Sequence, residues 1–329
     1  MLSFYRCGGV SVVSDVAAAT LSPDVVWLDL LSPTPEEIAF VTRATGLEMP
    51  SFADLSEIEA SSRLRTESGA IFLSLPLAYR GGEGRRANIT PLGFIITRER
   101  LVTIRFQPLP SFTTFIKEST QGDDPSTTGT AIFVGLTEAI VYRVADVLEG
   151  IAADLDALSQ KLFHIGPLQR HQHRPAREEA DLRNALQSVG VNGDHASQIR
   201  DSLLGIARIV PFVAIHAADW MQPEIGARLE TLRQDVASLS DYDMHLVNKV
   251  QLLLDATLGL INIEQNNIIK VLTIVSVVGV PPTLVASLYG MNFKYMPELD
   301  WSFGYPYALV LIGLSAVLPL LWFKWRGWF

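Results

Sequence analysis

The chain has 329 residues, a hydrophobic fraction of 48% and a net charge of −9 at pH 7. Its mean hydropathy of +0.25 is high for a purely soluble protein, so part of the chain is expected to face lipid. The acidic balance argues against a nucleic-acid-binding protein, and the single cysteine, Cys7, excludes an intramolecular disulfide framework and a multi-cysteine metal site.

Residues 1–125 have the pattern of an α/β domain. Strands are predicted at VVWLDL and AIFLSLPLAY, and PLGFIIT with RLVTIRF predicts a hairpin that turns at residues 98–100. SPTPEEIAFVTRATG predicts a helix, since it opens with a capping Ser or Thr, has acidic residues early and ends at Gly. GGEGRR lacks the spacing of a nucleotide-binding fingerprint and predicts a hairpin loop. The first residues lack a basic leader with a sustained apolar run, so we expect this domain in the cytoplasm.

The sequence pattern of residues 126–222 predicts a cytoplasmic helical hairpin region. A long periodic segment covers residues 130–164, and PAREEADLRNALQSVG predicts a second helix that ends at Gly190. Asn192 is expected to turn the chain into a further helix, which Pro211 would kink or interrupt.

Residues 223–270 predict a stalk helix with a periodic apolar face. No proline follows Pro223 until after Gly279, so stalk and first apolar span are expected to form one helix, on the order of 100 Å long. Such a stalk would couple a cytoplasmic domain to a pore, or it would pack as a coiled coil with no signalling role.

Residues 271–329 predict a transmembrane domain with spans at about 271–290 and 304–324 and an outer loop at 291–303. Each span approaches the roughly 20 residues that cross a bilayer as a helix. Basic residues flank the pair on one side: Lys249, Lys270, Lys324 and Arg326. By the positive-inside tendency, both termini are expected to be cytoplasmic.

Polar residues recur along the first span at spacings that mostly fit one helical face: Asn262, Asn266, Thr273, Ser276, Thr283 and Asn292. Polar groups at membrane depth face protein or water, so this face lines a water-filled path or joins helices to one another. Two helices of one chain cannot enclose a pore, so a conduit implies a closed homo-oligomer. Three tryptophans near the end of the second span predict an interfacial anchor.

Enzymatic and resident-metal chemistry have little support in the sequence. No nucleophile elbow, HExxH or kinase motif occurs, so an enzyme is not predicted. His171 and His173 have no carboxylate or Cys at ligand spacing, so a metal role for them is discounted.

The loop sequence YGMN followed by MPEL, between the two spans, resembles the CorA family of magnesium transport proteins, most closely its bacterial CorA branch. INIEQNNIIK, PPTLVAS, YGMNFKYMPELDWSFGYP and EIEASSRLR extend the resemblance. It implies an α+β membrane protein of the bacterial cytoplasmic (inner) membrane. The implied assembly is a funnel-shaped homopentamer with cytoplasmic α/β domains, a pore-lining stalk helix and an outer ring of second helices.

The resemblance also implies site residues. Gly290, Met291 and Asn292 match the signature motif, and Asn292 would form the selectivity ring at the outer mouth. The implied pore-lining positions are Asn266, Ile269, Leu272, Ser276, Val280 and Thr283. Glu298 in the outer loop would attract cations. The stalk offers candidate carboxylates for sensing cytoplasmic Mg²⁺: Asp235, Asp241, Asp243 and Asp255.

The implied function is a passive Mg²⁺ channel that is driven by the membrane potential and gated by cytoplasmic Mg²⁺, with Co²⁺ and Ni²⁺ as further ions. Mg²⁺ dehydrates reluctantly, so neutral amides suit its hydrated form, whereas a carboxylate ring would hold it too tightly for flux. The expected partners are copies of the chain, hydrated divalent cations and lipid, and not nucleic acid. A Zn²⁺ transporter of the related ZntB type and a membrane-tethered cytoplasmic scaffold stay open as alternatives.

Overall fold

The structure is a computed structural model that describes residues 1–6, 9–13, 18–80, 87–121, 128–163, 175–292, 294 and 296–328. Cys7, the predicted GGEGRR loop, His171 and His173 lie outside the described residues. The chain divides into two compact units. The first comprises Met1–His173 and Asn184–Leu254, and the second comprises Arg174–Arg183 and Asp255–Phe329.

A mixed β-sheet forms the centre of the N-terminal region. In the described residues its seven strands are β1 (Leu2–Arg6), β2 (Gly9–Val13), β3 (Val25–Leu31), β4 (Leu64–Glu67), β5 (Ala70–Arg80), β6 (Ala87–Ile96) and β7 (Leu101–Arg105). They lie in the order β2-β1-β3-β7-β6-β5-β4. Only the β3–β7 pair is parallel among these described strands. The predicted strands and the β6–β7 hairpin are confirmed, whereas β1, β2 and β4 were not predicted from the sequence.

The described helices include short and very long ones. They are α1 (Pro35–Thr45), α2 (Phe52–Leu55), α3 (Ala60–Arg63), α4 (Pro110–Gln121), α5 (Gly129–Phe163), α6 (Pro175–His216), α7 (Pro223–Tyr289) and α8 (Gly304–Trp325), with a 3₁₀ turn at Pro297–Asp300. The α/β region therefore precedes a region of long helices, as the hydrophobic periodicity predicts.

Helix α1 forms where its capping signals predict it. The backbone N–H of Glu37 donates to Thr34 Oγ1 at 3.3 Å, and Glu37 Oε2 accepts from the Thr34 N–H at 2.9 Å. At the other end Gly46 has φ +72°, a left-handed conformation that glycine adopts without steric cost. Phe40 and Val41 are buried and join the apolar core of the sheet.

A buried charged network ties β3 to β7. Arg105 Nη2 lies 2.7 Å from Asp29 Oδ2, and its Nε donates to Oδ1 at 3.1 Å. Thr103 Oγ1 donates to Asp29 Oδ1 at 2.7 Å and accepts from Trp27 Nε1 at 3.0 Å. The Arg105 guanidinium also lies 4.7 Å from the ring centre of Phe112, in α4. Each charge is thus paired and hydrogen-bonded, as buried charges must be.

Helix α6 corrects the expected helix end at Gly190 and the expected turn at Asn192. It continues through both residues because its side chains pack tightly there. Val189 and Asn192 are buried, and Asn192 Nδ2 donates to the Ser188 carbonyl at 3.0 Å. A Cβ on Gly193 would meet Val250 Cγ1 of α7 at 3.2 Å, so the two helices approach closely. Tertiary packing here overrides local turn propensity.

Pro211 does not interrupt α6, which continues to His216. Proline removes one helical hydrogen bond, but its neighbours Val210 and Val213 are both buried. The apolar burial on this face offsets the lost bond, so the expectation of an interruption was wrong.

Helix α7 is one continuous helix of 67 residues, which confirms that the stalk and the first span are a single element. Its N-terminal half is attached to α5 by ion pairs within the first unit. Arg228 donates from Nε to Glu138 Oε1 at 3.0 Å, and Lys249 Nζ lies 2.6 Å from Asp156 Oδ1. Two proline residues, Pro281 and Pro282, lie inside the same helix.

We expect Arg105→Met to lower the unfolding free energy by about 3 kcal/mol, because it leaves the Asp29 carboxylate buried without its charged partner. Thermal unfolding of the purified full-length protein measures this as a lower midpoint. Arg233→Gln is the matched control, since Arg233 pairs with Glu230 on an exposed helix surface and such pairs contribute little. An equal effect of the two substitutions would contradict a structural role for the buried network.

Candidate functional site

One face of α7 collects all the implied pore-lining positions. At about 100° per residue, they fall within an arc of about 120°. These positions are Asn266, Ile269, Leu272, Ser276, Val280 and Thr283. All are exposed in the single chain, and the apolar Leu272 and Val280 are 65% and 63% exposed. This face therefore needs water, lipid or another chain to cover it.

Beyond Asn267, the opposite face of α7 is apolar through the first span. By the same helical geometry it carries Val271, Val275, Val278 and Val285. Valine side chains are suited to contact with lipid or with other apolar helices. The span thus has one purely apolar side and one side on which amide and hydroxyl groups alternate with apolar groups.

Two threonines on or near the polar face donate back to the helix. Thr273 Oγ1 donates to the Ile269 carbonyl at 2.7 Å, and Thr283 Oγ1 donates to the Gly279 carbonyl at 2.8 Å. Each hydroxyl therefore has its proton engaged and presents oxygen lone pairs outward. A hydrated cation presents water O–H donors, so acceptors of this kind match its outer surface.

The signature residues lie immediately beyond the end of α7. Gly290 continues the last turn, since its N–H donates to the Ala286 carbonyl at 3.0 Å, and a Cβ added to Gly290 would lie only 3.3 Å from that same oxygen. Met291 and Asn292 follow outside the helix, and both are exposed. The helix thus presents the Asn292 amide just past its end.

The outer loop continues from this motif into α8. Glu298, the implied cation-attracting residue, lies in the 3₁₀ turn at Pro297–Asp300. The Trp301 ring then contacts the Tyr307 ring at a centroid distance of 6.2 Å. This acidic residue follows Asn292 by six positions in the sequence.

An aromatic cluster lies at the C-terminal end of α8. Phe323 is buried at 2% exposure, and its ring centroid lies 5.2 Å from that of Trp322 and 5.1 Å from that of Trp328. The Arg326 guanidinium lies 5.3 Å from the centre of the Trp322 ring. Tryptophan and arginine together are typical of the membrane–water interface.

The structure does not bring the four candidate sensing carboxylates together. Asp235, Asp241 and Asp255 are exposed, but successive ones lie six or more residues apart, about 9 Å or more along the axis of α7. Within the described residues, no group of three or more His, Cys, Asp or Glu side chains is placed to hold a metal ion.

Asp243, the fourth candidate, has a different environment. It is 1% exposed, and its Oδ2 accepts from Arg200 Nε at 3.0 Å, while its Oδ1 is buried with no hydrogen-bond partner among the described residues. Burial raises the pKa of the Asp243 carboxyl, and Arg200 partly opposes that rise. Asp243 thus joins α7 to α6 instead of facing a hydrated ion. The sequence carried no local signal for Arg200 as its partner, since 43 residues separate them.

Comparison with known proteins identifies the family. The sequence model of the CorA-like Mg²⁺ transporter protein family matches residues 22–325. The chain belongs to this CorA-like family. Its relatives include the protein named magnesium transport protein CorA from Sodalis glossinidius, which is 35% identical over 305 residues, covering 93% of this chain and 92% of the relative. The CorA protein of Escherichia coli K12 is 34% identical over 308 residues, with 93% and 92% covered.

Solved structures share the CorA fold of this chain. The complete CorA magnesium transporter from Methanocaldococcus jannaschii matches with a TM-score of 0.72 at 18% identity, covering 100% of this chain and 98% of that one. The full-length CmaX protein matches with a TM-score of 0.66 at 21% identity, covering 99% and 96%. The N-terminal α/β domain, long helix and two C-terminal apolar helices predicted from the sequence are confirmed.

We expect Arg200→Ala to destabilise this CorA-family chain by about 1–2 kcal/mol at neutral pH, because it leaves Asp243 buried without a charged partner. Because the pKa of Asp243 is raised on folding, the folded state favours its protonated form. The stability that this preference contributes is present below the unfolded-state pKa and is lost as pH rises through the folded-state pKa. The destabilisation should therefore be smaller near pH 4 than at pH 7.5.

Thermal unfolding at both pH values measures this difference. Asp243→Asn in the Arg200→Ala background is the control, because it removes the titrating group and should reduce the pH-dependent part of the loss. A loss of the same size at both pH values would show that Asp243 is not the group responsible.

Proposed function

We propose that the chain forms a homopentamer in which five copies of α7 surround a water-filled path for Mg²⁺. The observation that carries this proposal is the two-sided character of α7: acceptor groups follow one face and valines the other. A single chain leaves the acceptor face uncovered, and symmetric copies would turn these faces toward a common axis. Membership of the CorA-like family supports Mg²⁺ as the transported ion.

Asn292 is the proposed selectivity residue. Five amide oxygens at the outer mouth would accept hydrogen bonds from the water shell of Mg²⁺ without removing that shell. Because the ring carries no charge, the ion is bound weakly enough to leave again. Gly290 lets the chain turn closely at the end of the helix, and Met291 completes the motif. Glu298 would raise the local concentration of cations outside the mouth.

The membrane potential supplies the driving force for uptake. Moving a divalent cation through 100 mV is worth about 4.6 kcal/mol, at about 2.3 kcal/mol per charge. We therefore infer passive influx of Mg²⁺, with Co²⁺ and Ni²⁺ as further ions of similar charge. This direction requires the bacterial cytoplasmic membrane, with both termini in the cytoplasm and residues 291–303 outside.

Closure is proposed to come from apolar rings. Ile269, Leu272 and Val280 lie between polar positions on the same face, so five copies of each would form narrow apolar constrictions. Water leaves such constrictions readily, and a dry segment blocks a hydrated ion. The path would conduct Mg²⁺ only when the helices move apart and these rings widen.

Cytoplasmic Mg²⁺ is proposed to favour the closed state by binding between cytoplasmic domains of neighbouring subunits. Asp235, Asp241 and Asp255 are exposed on α7 and stay candidates for this role. Mg²⁺ bound between subunits would offset the mutual repulsion of acidic surfaces, and its loss would let them separate. We exclude Asp243 from this proposed site because it is buried against Arg200.

Two alternatives are less supported. A Zn²⁺ transporter would prefer Zn²⁺ over Mg²⁺, whereas the names of the matching family and of the relatives refer to magnesium transport. A membrane-tethered scaffold would not need a row of acceptor groups along α7.

Mg²⁺ flux into liposomes that contain only this purified protein tests the proposal. We expect Asn292→Ala to lower the Mg²⁺ uptake rate by about tenfold or more, because the amide ring at the mouth is lost. Asn267→Ala is the control: it removes an amide from α7 on the side away from the implied pore-lining positions, and it should leave uptake nearly unchanged. Native mass measurement of each variant checks that assembly is intact.

Three results would count against the channel proposal. They are absent Mg²⁺ flux, equal flux in the Asn292→Ala variant, and a native assembly of fewer than three chains. Uptake of Zn²⁺ that Mg²⁺ does not inhibit would favour the zinc alternative.

We expect Leu272→Ser to raise Mg²⁺ flux at high internal Mg²⁺, because a hydroxyl at a narrow ring keeps water in the closed path. Val271→Ser introduces the same hydroxyl one position away, on the opposite face, and should not change the flux. Fluorescence of a Mg²⁺ indicator inside liposomes loaded with Mg²⁺ measures the flux through each of the two variants. Equal effects of the two substitutions would contradict the assignment of Leu272 to the pore.

A further inference from the structure

The chain reverses direction at the C-terminal end of α8, in a turn that the proposed ion path does not use. Gly327 has φ +72°, a left-handed conformation that favours glycine. Its N–H donates to the Lys324 carbonyl at 3.2 Å, and the Trp328 N–H donates to the Phe323 carbonyl at 3.1 Å. This pair of hydrogen bonds is that of a Schellman helix end. It returns the Trp328 ring to Phe323, where the centroids are 5.1 Å apart.

An exposed stripe on α8 leads to this end. At about 100° per residue, its members fall within an arc of about 120° on the helix. All of them are exposed, and they are Leu314, Val317, Leu318, Leu321, Lys324 and Trp325. The stripe is therefore aliphatic along the helix and ends in one cation and one indole ring. That sequence of groups matches a phospholipid, whose acyl chains lie in the hydrocarbon and whose phosphate lies at the interface.

A second cation lies two residues beyond Lys324. The Arg326 side chain is exposed, and its guanidinium lies 5.3 Å from the centre of the Trp322 ring. Among the described residues, neither Lys324 nor Arg326 forms an ion pair with a carboxylate. A guanidinium that stacks on an aromatic face keeps its in-plane N–H groups, which can donate two parallel hydrogen bonds to a phosphate.

The sequence places no acidic residue near these cations. After Glu264, the acidic residues of the chain are Glu298 and Asp300, which lie in the turn before α8. The helix axis measures about 30 Å from the start of α8 to Lys324, about the thickness of the hydrocarbon core. In a membrane that α8 crosses, Lys324 and the two acidic residues therefore lie on opposite sides.

We propose that the C-terminal end of α8 binds one anionic phospholipid per chain. Arg326 and Lys324 hold the lipid phosphate, and the acyl chains cover the aliphatic part of the α8 stripe. A lipid fits this surface better than a free anion does, because only acyl chains remove the exposed leucines from water. The assignment of the lipid to the cytoplasmic leaflet rests on the orientation given under the proposed function, whereas the binding itself does not.

Native mass spectrometry of the full-length protein in a mild detergent tests the proposal. Dioleoylphosphatidylglycerol is the probe, and dioleoylphosphatidylcholine is the comparison because it has the same acyl chains and no net charge. We expect one phosphatidylglycerol per chain, bound at least about fivefold more tightly than phosphatidylcholine. Inorganic phosphate in large molar excess should not displace the lipid, since it has no acyl chains.

Charge variants assign the lipid to this end of α8. Lys324→Gln combined with Arg326→Gln should lower the affinity for phosphatidylglycerol to about that for phosphatidylcholine. Lys294→Gln is the matched control: it removes one exposed cation from the loop at the other end of the span, and it should leave the affinity nearly unchanged. The same spectra show whether each variant assembles, and the single substitution Arg326→Gln replaces the double variant if the latter does not.

Two variants of Gly327 test the turn. Gly327→Val should weaken phosphatidylglycerol binding by about threefold or more, because a β-branched residue does not adopt a positive φ and the turn that returns Trp328 is lost. Gly327→Asn is the matched control, since asparagine adopts this conformation and should keep the affinity.

Several outcomes would overturn the proposal. Equal affinities for the two lipids would show that the headgroup charge is not recognised. Equal losses in the double variant and in Lys294→Gln would indicate general charge attraction instead of a site. Displacement by inorganic phosphate would identify a free anion as the ligand, and unchanged binding in Gly327→Val would exclude the turn from the site. None of these measurements depends on Mg²⁺ flux, so failure here leaves the channel proposal to its own test.

Discussion

The acceptor-rich face of α7 is the constraint on which this account depends. Amide and hydroxyl groups cannot face hydrocarbon without a cost of several kcal/mol for each unsatisfied group. In the single chain they are exposed, and the valines on the opposite side of the helix are suited to apolar surroundings. The proposed symmetric assembly around a water-filled axis would satisfy both faces at once. The neutral character of the acceptors then favours an ion that keeps its water shell.

The N-terminal part of α7 is held by different interactions. Ion pairs from Arg228 and Lys249 attach it to α5, and buried Asp243 attaches it to α6 through Arg200. The helix has no break before Tyr289. A change in the packing of its first part is therefore not absorbed by a loop, and this continuity is what a coupling between cytoplasmic Mg²⁺ and an apolar gate requires.

Local signals predicted much of the fold and long-range contacts accounted for the errors. The capping residues of α1 lie within one helical turn of each other, so the sequence alone reveals them. Strand β1 has no such signal, because it is defined by its pairing with β3, with Leu2 opposite Leu30. The turn expected at Asn192 was wrong because packing against α7 extends α6 through it.

The functional site also has features that the sequence reveals and features that only the packing of the chain creates. The motif at Asn292 and the periodic face of α7 are continuous in sequence, so they were predictable, and their role in conduction stays a prediction. The ion pair of Asp243 with Arg200 joins segments that are 43 residues apart in the chain. Its position follows from how the helices pack, and no short stretch of sequence encodes that arrangement.

The most direct test of the central claim is the water accessibility of the two faces of α7. In a Cys7→Ser background, single cysteines replace residues on the acceptor face, Ser276, Val280 and Thr283, or on the valine face, Val271, Val275 and Val278. A charged, water-soluble thiol reagent reacts only where water and thiolate are present. Our account predicts reaction at the acceptor-face positions, about tenfold faster than at the valine-face positions when the protein is in a membrane without Mg²⁺. Equal rates on the two faces, or faster reaction on the valine face, would contradict it.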